Sequence, residues 1–133
     1  MADRKSGGCQ CGQIRYEIVG KPLRLAICHC RDCQKQSSSA FGMSLTVHPQ
    51  QFQITKGAVK RFEWRCDSGR TKSCTFCPNC GTRITHESDG SISVKAGSLD
   101  DTSGLHPDAH YWTARRQKWF DISPDLPHYA DDG

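Results

Sequence analysis

The residues of this 133-residue sequence that could do chemistry are its cysteines. There are nine, and seven of them lie in three short groups: Cys9 and Cys11; Cys28, Cys30 and Cys33; and Cys77 and Cys80. Cysteines one or two residues apart rarely pair with each other as disulfides, but their thiolates converge easily on one metal ion. We therefore expect two bound metal ions per chain, and zinc is the ion that tetrahedral thiolate sites favour.

The first and third groups predict one closed site. They form the turns Cys9-Gln10-Cys11-Gly12 and Cys77-Pro78-Asn79-Cys80-Gly81, each with two sulfur ligands and a final glycine. Four thiolates leave no position for solvent, so this site should be structural and should tie the start of the chain to its distant half. Free buried cysteines or a redox Cys-x-x-Cys pair are the alternatives. A redox pair should open a helix, whereas Thr82-Arg83-Ile84-Thr85 has the pattern of a strand.

The second group, Cys28-His29-Cys30-Arg31-Asp32-Cys33, predicts a more open site. Three protein ligands with an exchangeable fourth, water or a substrate, are typical of a reactive zinc. The alternative is a site closed by Cys66 or Cys74. If residues 28–30 are extended, Cys28 and Cys30 share a face and His29 points away, which argues against His29 as a ligand.

The charge of this second site limits its chemistry. Three thiolates and Zn²⁺ sum to one negative charge, so the ion would be a weak Lewis acid and a poor generator of hydroxide. It could still hold an incoming thiol as a thiolate. The expected reaction class is thiol chemistry, with Cys28, Cys30 and Cys33 as the catalytic metal ligands.

The elements that must position these cysteines are predicted to be short strands. Apolar residues alternate with polar ones around Tyr16, Leu45, Ile54, Phe62 and Val94, and glycines or prolines separate these stretches. Residues 31–40 could form one helical turn, but Ser37-Ser38-Ser39 within them is a poor helix former. We expect an all-β protein of short antiparallel sheets, in one domain over residues 1–133, with a loop over Asp100 to Asp108.

The remaining cysteines and histidines carry weaker predictions. Cys66 follows Phe62 and Trp64 at period two, which predicts a core position. His110 lies in an aromatic run and is expected to pack between the last strands, with a wall of a substrate pocket as the alternative. Four histidines without a spacing signal are expected at the surface: His48, His86, His106 and His128.

Composition excludes several partners. Seven thiolates and two Zn²⁺ ions would lower the formal charge from +4 to +1, and no basic stripe interleaved with aromatics is present, so we expect no nucleic-acid binding. No apolar run reaches the roughly 18 residues of a membrane span, and no signal peptide is visible. With many unpaired thiols, this predicts a soluble protein in a reducing, cytoplasmic setting.

The cysteine motifs, with their flanking residues, resemble those of the glutathione-dependent formaldehyde-activating enzyme family. The matching segments are Gly8-Cys9-Gln10-Cys11-Gly12, Cys28-His29-Cys30-Arg31-Asp32-Cys33-Gln34 and Phe76-Cys77-Pro78-Asn79-Cys80-Gly81-Thr82, within a resemblance from about Gly7 to Tyr129. The resemblance implies a β-tent fold, a structural zinc on Cys9, Cys11, Cys77 and Cys80, and a catalytic zinc on Cys28, Cys30 and Cys33.

The resemblance also implies an activity. It is that of a carbon–sulfur lyase acting on glutathione adducts of small aldehydes, such as S-hydroxymethylglutathione. Glutathione and a small aldehyde would be the partners, and Arg31, Arg61 and Arg65 are candidates to pair with the glutathione carboxylates. Relatives with this fold include centromere protein V, whose context is not obviously enzymatic, so a zinc-stabilised binding or scaffold module is the alternative.

Overall fold

The computed structural model describes residues 3–66 and 69–133, and these residues fold into two sheets and one short helix. The strands are β1 (Arg4–Gly8), β2 (Arg15–Val19), β3 (Arg24–Cys28), β4 (Gly42–Val47), β5 (Phe52–Lys56), β6 (Lys60–Arg65), β7 (Thr71–Phe76), β8 (Arg83–Ser88), β9 (Ser91–Lys95) and β10 (Ala109–Tyr111). The helix, α1, spans Arg31–Ser37, and 3₁₀ turns lie at Pro49–Gln51, Ala96–Ser98 and Thr113–Arg115. The prediction of an all-β fold is confirmed.

The strands form one small and one large sheet. The small sheet has the order β1-β2-β5, and the large one has the order β10-β3-β4-β9-β8-β7-β6. All pairs are antiparallel except β10 with β3, which is parallel. Strand β3 ends at Cys28, and β7 ends just before Cys77. Both strands belong to the large sheet.

The core lies where apolar side chains alternate along the strands. On β2, Tyr16 and Ile18 are buried while their neighbours are only partly so, as the period-two pattern predicts. The Tyr16 ring lies 5.2 Å from that of Phe52, and its hydroxyl is 2.6 Å from Ser98 Oγ. Burial raises the pKa of Tyr16 to about 12.

Strand β6 was predicted from Phe62 and Trp64, but its surroundings differ from the expectation. Among the described strands it pairs with β7 alone, at the edge of the large sheet, and all six of its residues are exposed. Cys66, which follows it, is only partly buried, and the prediction that it belongs to the core is wrong. The period-two pattern indicates one face of a strand but not whether that face meets the core.

Helix α1 is longer than the single predicted turn because its ends are satisfied locally. Cys30 is the N-cap, and its Sγ accepts a hydrogen bond from the Cys33 amide at 3.3 Å. The Ser37 hydroxyl donates to the Cys33 carbonyl at 2.7 Å, and Ser38 ends the helix in the left-handed conformation, with φ of 53°. The serines thus end the helix. No helix within the described ranges is long and apolar enough to cross a membrane.

Candidate metal centres

Four cysteines from two distant turns meet in one cluster. Cys9 and Cys11 follow β1, and Cys77 and Cys80 lie between β7 and β8. Their four sulfurs all lie within 4.8 Å of one another, with Sγ–Sγ distances of 3.6 Å from Cys9 to Cys11 and 3.8 Å from Cys11 to Cys77. Ligands about 2.3 Å from a tetrahedral zinc are about 3.8 Å apart, whereas a disulfide bond is about 2.05 Å long. The cluster therefore has the dimensions of a metal site.

Hydrogen bonds to the sulfurs support the same conclusion. The Ile14 amide donates to Cys9 Sγ at 3.1 Å, and the Cys80 amide to Cys77 Sγ at 3.5 Å. The Thr82 hydroxyl lies 3.2 Å from Cys80 Sγ. This contact, together with backbone hydrogen bonds from Thr82 and Cys11, lowers the pKa of Cys80 to about 5. Donors arranged around sulfur stabilise thiolates, which are the form that binds a metal.

The two turns share a backbone requirement that explains their glycines. Gly12 and Gly81 both have φ of 80°, in the left-handed region. The Gly12 amide donates to the Cys9 carbonyl at 3.1 Å, and the Gly81 amide to the Cys77 carbonyl at 2.9 Å. A side chain would fit sterically at either position, so the glycine is needed for its conformation and not for space.

The second group of three cysteines converges where β3 passes into α1. Cys28 ends β3, Cys30 caps α1 and Cys33 lies in its first turn, and the three sulfurs lie within 4.8 Å of one another. Among the residues that the structure describes, no fourth cysteine, histidine or carboxylate joins them within that distance. Cys66 and Cys74, the predicted alternatives for closing the site, are not part of the cluster.

Close packing of these three sulfurs also sets their ionisation. Hydrogen bonds from Cys28 and Cys33 lower the pKa of Cys30 to about 2, and the same sharing raises the pKa of Cys28. The Gln36 amide group donates to Cys33 Sγ at 3.4 Å. Gly42 faces this sulfur group, and a Cβ there would lie 3.2 Å from that of Cys33. The donor set fits a soft metal ion bound by three thiolates.

His29 lies on the opposite side of the backbone from its two cysteine neighbours. It is fully buried, with Nε2 2.9 Å from His110 Nδ1, and its ring packs at 5.5 Å from Phe41 and 5.3 Å from Phe120. His29 therefore faces away from the sulfurs, as extended backbone over residues 28–30 predicts. His110 packs in this cluster, in line with the packing expectation for it.

A cavity of 370 Å³, here called the cysteine cavity, opens beside Cys28 and Cys30. Its walls include Trp112, the cations Arg31, Arg70, Lys72 and Arg115, and the carboxylates Asp32 and Asp132. The cations outnumber the acids, which suits a ligand with more than one carboxylate. The sulfurs at one end are therefore accessible to a small anionic molecule.

Sequence reasoning found only part of this wall. Of the three arginines proposed for carboxylate binding, Arg31 lies on the cavity, whereas Arg61 pairs with Glu87 at 3.1 Å and Arg65 lies exposed on β6. Lys72 and Arg115 were missed. Lys72 stands in the polar stretch Thr71-Lys72-Ser73 of β7, and Arg115 lies far in sequence from every cysteine group, so neither carried a motif signal.

His86 is buried, so its predicted surface position is wrong. Its Nδ1 lies 2.9 Å from Lys95 Nζ, and 7% of its surface is exposed. Burial, with the nearby cations Lys95, Lys72 and Arg83, lowers the pKa of His86 to about 2, and burial lowers that of Lys95 to about 8. A neutral His86 therefore accepts a hydrogen bond from the lysine. His48, His106 and His128 are exposed as predicted.

Comparison with known proteins gives a family and a fold. A family model described as "Glutathione-dependent formaldehyde-activating enzyme" matches residues 4–115, a range that contains both cysteine clusters. The crystal structure of a Rhodobacter sphaeroides protein, a structural genomics target, superposes with a TM-score of 0.57 at 19% sequence identity. That match covers 77% of this chain and 91% of the other, and at this identity it indicates a shared fold alone.

Proposed function

The chain belongs to the glutathione-dependent formaldehyde-activating enzyme family, and from this premise we propose that it is a zinc-dependent carbon–sulfur lyase acting on glutathione adducts of small aldehydes. One observation carries the proposal. Three sulfurs, those of Cys28, Cys30 and Cys33, form a group that could hold a metal ion, with no fourth protein ligand among the described residues, beside a cavity in whose wall cations outnumber carboxylates. A closed site would leave no position for a substrate sulfur.

Two zinc ions would have different roles. Cys9, Cys11, Cys77 and Cys80 would hold a structural ion, and Cys28, Cys30 and Cys33 would hold the catalytic one. When bound by these three thiolates, zinc would keep an incoming thiol in its thiolate form at neutral pH. This chemistry suits a soft, anionic sulfur site better than activation of water.

The cavity wall would bind the rest of the thiol. Glutathione carries two carboxylates and one ammonium group, and Arg31, Lys72 and Arg115 offer positive charge around the sulfurs. The Arg31 guanidinium is oriented by a 2.6 Å hydrogen bond to Gln34 Oε1. Trp112 covers one side of the cavity, where it would limit access of water to the reacting atoms.

The reaction requires one proton transfer besides the carbon–sulfur step. In cleavage, the hydroxyl of the adduct loses its proton, its oxygen forms the aldehyde carbonyl, and the carbon–sulfur bond breaks with the electron pair going to sulfur. Condensation is the reverse. We propose that Asp32 accepts and returns this proton. Asp32 lines the cavity, and in sequence it lies between Cys30 and Cys33.

The alternative of a non-catalytic scaffold receives less support from the structure. A purely structural second zinc would be expected to have four protein ligands. His29 faces a buried aromatic cluster, and Cys66 and Cys74 lie outside the sulfur group. A group of three sulfurs without a fourth protein ligand among the described residues supports the enzyme over the scaffold.

The proposal is tested by measuring cleavage of the adduct. A preformed adduct of glutathione and formaldehyde is mixed with an excess of an aldehyde-trapping amine, so that the rate of trapping reports the rate of cleavage. Zinc-loaded protein should raise this rate above that without protein. The Cys30→Ser variant should not, because it lacks one ligand while serine still caps α1. Equal rates with and without wild-type protein would refute the lyase proposal.

A further inference from the structure

A second cavity, here called the aromatic groove, lies beside the cysteine cavity. It has a volume of 290 Å³, and Phe62 and Trp64 from β6 form its aromatic wall. The rest of its lining is Asp32, Lys35, Gln36, Cys66, Lys72, Cys74, Arg83 and His86. Phe62 and Trp64 are two residues apart and so share one face of the edge strand. Neither belongs to the core, because they are 38% and 49% exposed. The proposed cleavage of a formaldehyde adduct does not use this groove.

The aromatic walls of the groove are held in place by named contacts. Trp64 Nε1 donates to Asp32 Oδ2 at 3.3 Å. The Arg83 guanidinium lies over the Phe62 ring at 5.0 Å, and Arg83 is itself fixed by a 3.0 Å hydrogen bond to Gln36 Oε1. Exposed aromatic rings fixed in this way form a preorganised apolar surface, which binds a ligand at low entropic cost.

The groove is continuous with the cysteine cavity. Asp32, Cys66 and Lys72 line both spaces. In an adduct, the carbon of the former aldehyde is bonded directly to sulfur. The alkyl or aryl substituent on that carbon must therefore lie in a space next to the sulfur. The glutathione arms end in charged groups that suit the cations of the cysteine cavity, whereas an apolar substituent suits the aromatic walls.

Volume argues against formaldehyde as the only substrate. The hydroxymethyl group of its adduct has two non-hydrogen atoms and occupies roughly 60 Å³, about twice the volume of a water molecule in the liquid. The groove is roughly five times larger. Resting on the lyase function proposed above, we infer that the aromatic groove receives the apolar substituent of the aldehyde. The substrates of this protein then include glutathione adducts of aldehydes with an alkyl chain of about four carbons or an aromatic ring.

Stable thioether conjugates test this inference without any catalytic step. Binding of S-methyl-, S-butyl- and S-benzylglutathione to the zinc-loaded protein is measured by titration calorimetry. A fully buried methylene is worth about fourfold in affinity, and in a half-open groove about twofold, so the three added methylenes of the butyl group should give roughly eightfold tighter binding than methyl. The benzyl conjugate should bind at least as tightly as the butyl one.

Substitutions in the groove test whether its aromatic walls cause the gain in affinity from the methyl to the butyl conjugate. Trp64→Ala and Phe62→Ala should each reduce the gain from methyl to butyl to less than about threefold. Trp119→Ala is the matched control, because Trp119 is 69% exposed and lies outside both cavities, and it should keep the full gain. Thermal melting of each variant checks that the exposed edge of the sheet tolerates the change.

The outcomes separate this inference from the lyase proposal. Equal affinities of the wild-type protein for all three conjugates, or no binding of any, would overturn the groove assignment whatever the cleavage assay shows. A loss that is the same for methyl, butyl and benzyl conjugates in Trp64→Ala would instead place a glutathione arm in the groove and would also overturn it. A failed cleavage assay with the full gain in conjugate affinity would refute the lyase function and leave the groove as a binding site.

Discussion

Replacement of Cys80 by serine tests the structural role of the four-sulfur cluster. A metal held there joins Cys11 to Cys77 across 66 residues, and constraining a loop of that length in the unfolded chain is worth about 4 kcal/mol in the chain-entropy treatment of cross-links. Domains are typically stable by about 5–15 kcal/mol. Cys80→Ser should therefore remove a large part of the free energy of unfolding, or leave the protein unfolded and insoluble.

The assay is urea unfolding followed by circular dichroism, together with the metal content per chain. With a slope of about 2 kcal/mol per M, a loss of about 4 kcal/mol should lower the urea midpoint by roughly 2 M. Cys30→Ser is the matched control: it removes a sulfur from the other cluster, which closes only a short loop, and it should move the midpoint far less. A Cys80→Ser protein with the wild-type midpoint and two bound metals would refute the assignment.

Three further predictions concern the second metal, the cavity wall and pH. Mild chelation should lower the metal content from about two to about one per chain while the fold survives, because three protein ligands hold less firmly than four; simultaneous loss of both ions with unfolding would contradict this. Lys72→Met should raise the KM for the glutathione adduct roughly fivefold in the cleavage assay, with little change in kcat, whereas the exposed Lys118→Met should change neither. Stability should fall from about pH 10 to pH 12, because the unfolded Tyr16 ionises near pH 10 and the folded one, kept neutral by burial, near 12. Tyr16→Phe should reduce that slope in unfolding measurements across this pH range, and an unchanged slope would count against it.

The sequence predicted what depends on local spacing. The Cys-x-Cys and Cys-x-x-Cys turns, the alternation in β2 and the direction of His29 all follow from the geometry of a few consecutive residues. The convergence of Cys9 and Cys11 with Cys77 and Cys80 could also be anticipated, since each turn supplies only two ligands of the four that a closed site needs.

The features that the sequence did not predict depend on which strand lies at an edge of the sheet and which side chains meet across it. Phe62 and Trp64 have the pattern of a core strand, but β6 lies at the edge of the large sheet among the described strands, and both side chains line a groove instead. His86 is buried because β8 lies between β7 and β9, where Lys95 reaches it. Lys72 lines the cysteine cavity from a strand whose sequence gave no signal for a binding residue. Long-range strand order of this kind is not encoded in single-strand periodicity.

The central claim is that the Cys28, Cys30 and Cys33 site keeps a coordination position for a substrate thiol. The most direct measurement replaces the labile metal with cobalt(II) and follows the sulfur-to-cobalt charge-transfer absorption during titration with glutathione. The absorption should change as a fourth sulfur binds, and the cobalt should remain with the protein through gel filtration. An unchanged spectrum at saturating glutathione, or cobalt that elutes with the small molecules, would contradict the claim and favour the scaffold alternative.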